Sequence, residues 1–212
     1  PFLFSDLDMS HLNDHLTLKK FKYEDIRSAM ALFEKGDFFF TFDLASAYHH
    51  IDVDPRYWKF LGFTWPTPDG QSQSYVFKSL PLGLASAPYV FTKVTRDLVH
   101  HWRRQGIKCM MYLDDGAACD ASEQRCNEIS VQVRQDLLSA GFILSDKSRF
   151  QPARSGTLLG FDLDLLSGFI FVTERRVAKL QNLLDSLVSA TSATARDVAR
   201  LVGTIISMGP AL

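Results

Sequence analysis

Asp114 and Asp115 stand side by side between two apolar runs, Ile107 to Leu113 before them and Ala117 to Cys119 after Gly116. Adjacent carboxylates repel one another unless positive charge arrives to offset them. A divalent cation is the natural partner, and magnesium takes one or two carboxylates together with water and substrate phosphate oxygens. A third carboxylate, Asp43, ends another strongly apolar run, Phe38-Phe39-Phe40-Thr41-Phe42. If the two runs are neighbouring strands of one sheet, the three acids converge. Two metal ions about 3.5–4 Å apart would then activate an attacking oxygen and stabilise a leaving one in phosphoryl transfer. Spacing alone leaves a plainer reading open, because Asp-Asp-Gly is a common turn sequence and Asp often caps a strand end.

The elements that must carry these acids can be read from periodicity. Ile26, Met30 and Phe33 recur at helical spacing before Gly36, which sits where a left-handed helix cap falls. The aromatic and β-branched run that follows suits a strand buried on both faces and ending at Asp43. Segments around Phe60 to Trp65 and Tyr75 to Phe77 flank the turn signal Asp69-Gly70 and predict a hairpin. Ser86 and Pro88 open a helix whose inward track is Val90, Val94 and Leu98, ending at Gly106. The paired acids then fall at the tip of a second hairpin. Ser122 caps a helix with Cys126, Ile129, Val133 and Leu137 inward and Gly141 past its end. Phe161 to Val172 predicts a hairpin turning at Ser167-Gly168. Two helices close the chain, one after Thr173 with Val177, Leu180, Leu184 and Leu187 inward, the other capped by Thr194 with Asp197. Helix and strand alternate irregularly, which predicts an α+β fold on an antiparallel sheet.

Bulk properties narrow the field little. In 212 residues, 46% hydrophobic content supports one sizeable core. No apolar run approaches a membrane span and the first residues lack a signal peptide's basic start, so the reading is a soluble, intracellular chain, cytoplasmic or nuclear. Pro1 in place of Met, with Phe-Leu-Phe at once, reads as a piece of a longer polypeptide. Cys109, Cys119 and Cys126 form no C-x-x-C pair and read as small core residues. A net charge of -1 argues against a dedicated nucleic-acid binder, although basic residues cluster at Arg103-Arg104, at Lys147, Arg149 and Arg154, and at Arg175, Arg176 and Lys179.

Longer stretches of wording settle on one family. Phe42-Asp43-Leu44-Ala45-Ser46-Ala47-Tyr48 resembles the first catalytic motif of reverse transcriptases, and Tyr112-Leu113-Asp114-Asp115 their tyrosine-x-Asp-Asp hairpin. Leu80-Pro81-Leu82-Gly83 with Ser86, Ala87, Pro88 and Phe91 is similar to the intervening Leu-Pro-x-Gly segment and its helix. Ala140-Gly141-Phe142 through Lys147-Ser148 resembles the fourth motif, and Leu159-Gly160-Phe161 the hairpin that grips the primer. The resemblance runs from about Phe2 to Val172. Its finer wording, at His11-Leu12-Asn13, Tyr48-His49-His50-Ile51 and Ala195 to Gly203, looks most like retrotransposons, within them the DIRS-like group.

This resemblance implies a polymerase palm with partial fingers over 1–172 and thumb or connection helices over 173–212. It implies an RNA-directed DNA polymerase working on an RNA template, a DNA primer and dNTPs. Asp43, Asp114 and Asp115 would be both the catalytic and the metal carboxylates, binding two magnesium ions or manganese in their place, with the Leu44 carbonyl as a further ligand. Leu44, Ala47, Tyr48, Leu82, Gly83 and Lys147 would line the nucleotide site. Tyr48 would lie under the sugar and exclude a 2'-hydroxyl, Gly83 would let backbone approach the nucleotide, and Lys147 would neutralise or protonate the leaving pyrophosphate. Leu82 stands where retroviral relatives have glutamine, which removes a side-chain hydrogen bond. Trp65 and Trp102 are further candidates for stacking on bases. Basic finger residues that hold a triphosphate would precede Pro1, and a ribonuclease H module would belong to the same polyprotein. Two other readings are a catalytically inactive palm that binds nucleic acid or protein, and a different two-metal phosphotransferase or nuclease.

Overall fold

A computed structural model describes residues 8–190 and 192–211; the Phe2 end of the resemblance lies outside them. Four antiparallel strands form the central sheet, in the order β4 (Lys108–Tyr112), β5 (Asp115–Asp120), β1 (Phe38–Asp43), β6 (Arg149–Ala153). The period of two along β1 divides its phenylalanines between two cores. Phe40 and Phe42 face helices α3 (Ala87–Arg104) and α4 (Glu123–Ser139), meeting Phe91, Trp102, Ile129 and Val133. Phe39 faces the other way, against Ile26 of α2 (Ile26–Leu32), Phe33 just past its end, and Leu158, Phe161 and Leu163 of a second sheet. That sheet is β7 (Ser155–Leu158), β8 (Phe161–Asp164) and β9 (Phe169–Val172). A hairpin of β2 (Gly62–Pro66) and β3 (Ser72–Val76) stands apart. Burying Phe39, Phe40 and Phe42 is worth about 1.5–3 kcal/mol each, so this strand is the spine of the molecule. The class is α+β with antiparallel sheets.

Strand β4 is an edge, and two side chains cover its outer polar groups. Glu24 accepts the Met111 N–H at 2.9 Å, while Arg103 donates to the Cys109 carbonyl at 2.7 Å and pairs with Glu24 at 2.7 Å. An edge blocked in this way cannot recruit another strand. Arg103 is therefore a structural residue, like Arg154 over the Phe38 ring, and neither is a free basic contact.

Several expected faces are corrected. The buried track of α3 is Ala87, Phe91, Thr95, Val99 and Trp102, one residue on from the expected Val90, Val94 and Leu98, and Val94 is 43% exposed. Both tracks have helical spacing, but only the buried one carries two large aromatics, Phe91 and Trp102. Its one polar member, Thr95, costs little because its hydroxyl donates to the Phe91 carbonyl at 3.1 Å. In α2 Ile26 is buried as expected, but its companion is Ala29, and Met30 is exposed. Neither α5 (Glu174–Ser189) nor α6 (Ala195–Met208) is immersed in the core. No residue of α5 is fully buried, and Val177 and Leu184 are exposed, because its described packing partner is chiefly α6. The Thr194–Asp197 capping box forms as expected. Strands β6 and β7 and the short helix α1 (Ser10–Asn13) were not anticipated.

Candidate active site

The acids meet where β1 and the β4–β5 hairpin end together. Register places Asp43 directly opposite Asp115, and Tyr112 opposite Asp115 on the other side. The turn is Leu113–Asp114, with Asp115 already in strand β5. Leu113 takes the left-handed conformation at φ 51°, a strained state for a branched side chain. The Leu44 N–H holds the turn by donating to the Asp114 carbonyl at 3.0 Å. The sequence placed Gly116 in the turn with the paired acids, but it lies within β5 and serves close approach. A Cβ there would stand 2.2 Å from Cζ of the buried Phe42 ring, so only glycine lets β5 settle onto β1.

Asp43 is fixed through its backbone. Ser148 Oγ accepts the Asp43 N–H at 3.0 Å and donates to the Asp43 carbonyl at 3.1 Å, while the Ser145 N–H reaches the same carbonyl at 2.8 Å. The carboxylate is left for the site. Burial, then the charges of Asp114 and Asp43, raise the Asp115 carboxyl to about 6. Burial first and Asp43 next also raise Asp114, against a downward pull from Lys147. These acids are being asked to ionise where water is scarce and like charge is near, which is the condition a cation relieves. Among the described residues no group of three or more His, Cys, Asp or Glu side chains closes into a metal-binding set. The donors are nevertheless of the right kind, since magnesium completes its shell with water and substrate oxygens. By donor chemistry, Asp43, Asp114 and Asp115 suit such an ion.

The other expected residues fall in two groups. Ala47 and Tyr48 lie in a 3-10 turn, Ala47–His50, entered through Ser46 at φ 54°. The Tyr48 ring meets Phe91 edge-on at 5.6 Å, and burial, followed by the Tyr23 and Asp114 charges, pushes its hydroxyl up to about 12. Tyr48 thus stays neutral beside the acids. Leu44 is a buried core residue whose backbone bridges Leu144. Leu82 and Gly83 sit on the loop before α3, Leu82 exposed and Gly83 left-handed at φ 84°. Asn13 clamps that loop, donating from Nδ2 to the Gly83 carbonyl at 2.9 Å and accepting the Ala85 N–H at 2.8 Å. Leu80 and Leu84 flank the loop in a small core that Tyr48 also touches. Trp102 is fully buried, its Nε1 donating to Asp136 at 2.9 Å, so it is no base-stacking platform.

An open cleft of about 920 Å³ is lined by Asp43, Tyr112, Asp115 and Lys147 together with Gly160, Arg175 and Ser207. Arg176 braces the wall, donating to the Ser207 carbonyl at 3.1 Å and packing over Phe161. Ser148 and Asn13 have supporting roles that sequence reasoning missed. Both lie in the quoted motifs, yet their partners are 105 and about 70 positions away, and nothing local announces them.

Comparison with known proteins identifies the family and the fold. Residues 7–163 match the family described as "Reverse transcriptase (RNA-dependent DNA polymerase)". The chain is 26% identical over 171 residues to the Pol polyprotein of equine infectious anemia virus (isolate 1369), covering 78% of this chain and 14% of that polyprotein. It is 28% identical over 109 residues to the Drosophila melanogaster retrovirus-related Pol polyprotein from transposon opus, covering 51% of this chain and 10% of the relative. A solved foamy viral protease-reverse transcriptase in complex with RNA/DNA hybrid has the same fold at TM-score 0.72 and 22% identity, over 93% of this chain and 25% of that one. The chain therefore spans a small part of each relative. No described helix is long and apolar enough to cross a membrane. Since the matched stretch contains β1, the β4–β5 hairpin and the loop that carries Lys147, this chain belongs to the reverse transcriptase family.

Proposed function

We propose that this chain carries the palm of an RNA-directed DNA polymerase, which extends a DNA primer with dNTPs on an RNA template. The observation that carries the reading is the strand register that sets Asp43 opposite Asp115 with Asp114 in the adjoining turn. All three carboxylates are assigned to two magnesium ions, with manganese able to substitute. When bound, such ions make the primer 3'-hydroxyl nucleophilic and offset charge on the leaving pyrophosphate. The chain's own residues do the positioning. Tyr48, neutral and wedged on Phe91, forms the floor for the sugar and leaves no room for a 2'-hydroxyl. Gly83, held by Asn13, offers backbone rather than a side chain to the nucleotide, with Ala47 and Leu82 beside it. Lys147 faces Asp114 and Asp115 and is placed to meet the departing phosphates. The cleft floored by Gly160 and Phe161 and edged by Arg175 suits the primer strand, with phosphate contacts from the arginine.

Residues 1–172 are read as palm and partial fingers and 173–212 as thumb or connection, within a polyprotein that also holds a ribonuclease H. The test is primer extension on an RNA template with dNTPs and magnesium. Extension that Asp114→Asn abolishes supports the reading. Tight hybrid binding without extension in any form, including one lengthened upstream, would identify a binding module instead.

A further inference from the structure

The turn that carries Tyr48 is held from outside. Ser46 enters it left-handed, and within the turn the backbone bonds are His49 N–H to Ser46 at 2.9 Å and Ile51 N–H to Tyr48 at 3.1 Å. His50 adds two more fastenings. Its Nε2 accepts the Ile143 N–H at 3.0 Å, and its Nδ1 lies 3.2 Å from the Ala47 carbonyl. A ring nitrogen that accepts a backbone N–H carries no proton, so the proton is on Nδ1 and goes to Ala47. His50 therefore acts as a neutral imidazole of fixed tautomer.

Aromatic packing closes the same circuit. The His50 ring meets Phe142 at a tilt, 5.3 Å between centroids, Phe142 meets Phe91 at 6.2 Å, and Phe91 meets Tyr48 at 5.6 Å. Ile143 begins the segment that leads to Lys147. That segment is already laced to β1 and its extension by Ala45 N–H to Ile143, Ser145 N–H to Asp43 and the Ser148 hydroxyl. Among these ties, His50 is the one that reaches the Tyr48 turn.

We propose that His50 is a positioning residue for nucleotide selection, joining the turn that bears Tyr48 to the 142–148 segment that bears Lys147. The sugar wall and the phosphate-side cation then hold a fixed separation. This rests on the polymerase reading for its consequence, though not for the tie itself.

Two variants separate the role from general stability. His50→Leu keeps bulk but has neither donor nor acceptor; His50→Gln keeps one of each. On the chain alone, hydrogen exchange reads the Ile143 amide and nitrogen NMR reads the His50 tautomer. Protection of Ile143 should fall about five-fold or more in His50→Leu, the worth of one ordinary hydrogen bond, and persist in His50→Gln. In primer extension, His50→Leu should raise the KM for dNTP and lower discrimination against ribonucleotides by about five-fold each, with kcat changed less and His50→Gln close to wild type. A wild-type proton on Nε2, equal behaviour of the two variants, or unchanged discrimination in His50→Leu overturns the proposal. If the wild-type chain extends no primer, the selection role falls with the polymerase reading, while exchange and tautomer still decide whether the tie exists.

Discussion

Replacing Asp115 by Asn should make the metal-free protein more stable while removing the proposed polymerase activity. The folded carboxyl titrates at about 6 against an ordinary 3.8, raised by burial and by the Asp114 and Asp43 charges. At full burial that difference is worth about 3 kcal/mol; solvent screening around a half-exposed group reduces it to about 1–2 kcal/mol. Between pH 4 and 6 the folded chain holds a proton that the unfolded chain has released. Stability of the metal-free protein therefore falls as pH rises through that window, and the penalty is absent below it. Asn removes the charge and keeps a donor for the facing Asp43. In a domain of this size the gain corresponds to a rise in Tm of about 2–8 °C at pH 7, and to almost none at pH 4. Magnesium should raise the wild-type Tm at pH 7 by binding the folded state alone, and should do so much less for the variant. Thermal unfolding at the two pH values, with and without magnesium, measures all four quantities. A variant less stable than wild type at pH 7 without metal, or one stabilised by magnesium as strongly as wild type, would refute the electrostatic account of the site.

Two further outcomes follow from packing. Tyr48→Ala should relax the sugar wall, so that ribonucleotide incorporation rises relative to deoxynucleotide by at least ten-fold; unchanged rejection of ribonucleotides would remove Tyr48 from that role. Gly116→Ala drives a Cβ into the Phe42 ring, 2.2 Å from Cζ, and should cost about 1–3 kcal/mol as overpacking, read as a lower urea midpoint. A loss below about 0.5 kcal/mol would show that β1 and β5 can separate more easily than their buried faces indicate.

The local elements and the identity of the acids were legible in the order of residues alone. Apolar runs flanking Asp114-Asp115 and preceding Asp43 could only be buried strands, and helix ends at Gly106 and Gly141 fell where glycine's left-handed conformation was needed. Whole motifs in order then pointed to the family. Tertiary structure decided the rest, because those decisions depend on partners far along the chain. Register alone puts Asp43 opposite Asp115. The inward face of α3 was chosen by Phe91 and Trp102 finding Phe42 and α4, against an equally periodic valine track. Gly116 looked like a turn residue until Phe42 was found over it. Ser148, Asn13 and His50 acquire a role only when chain segments 70 to 105 residues apart are brought within hydrogen-bond reach. Periodicity records what each residue needs from its neighbours in sequence, while the site is made by neighbours in space.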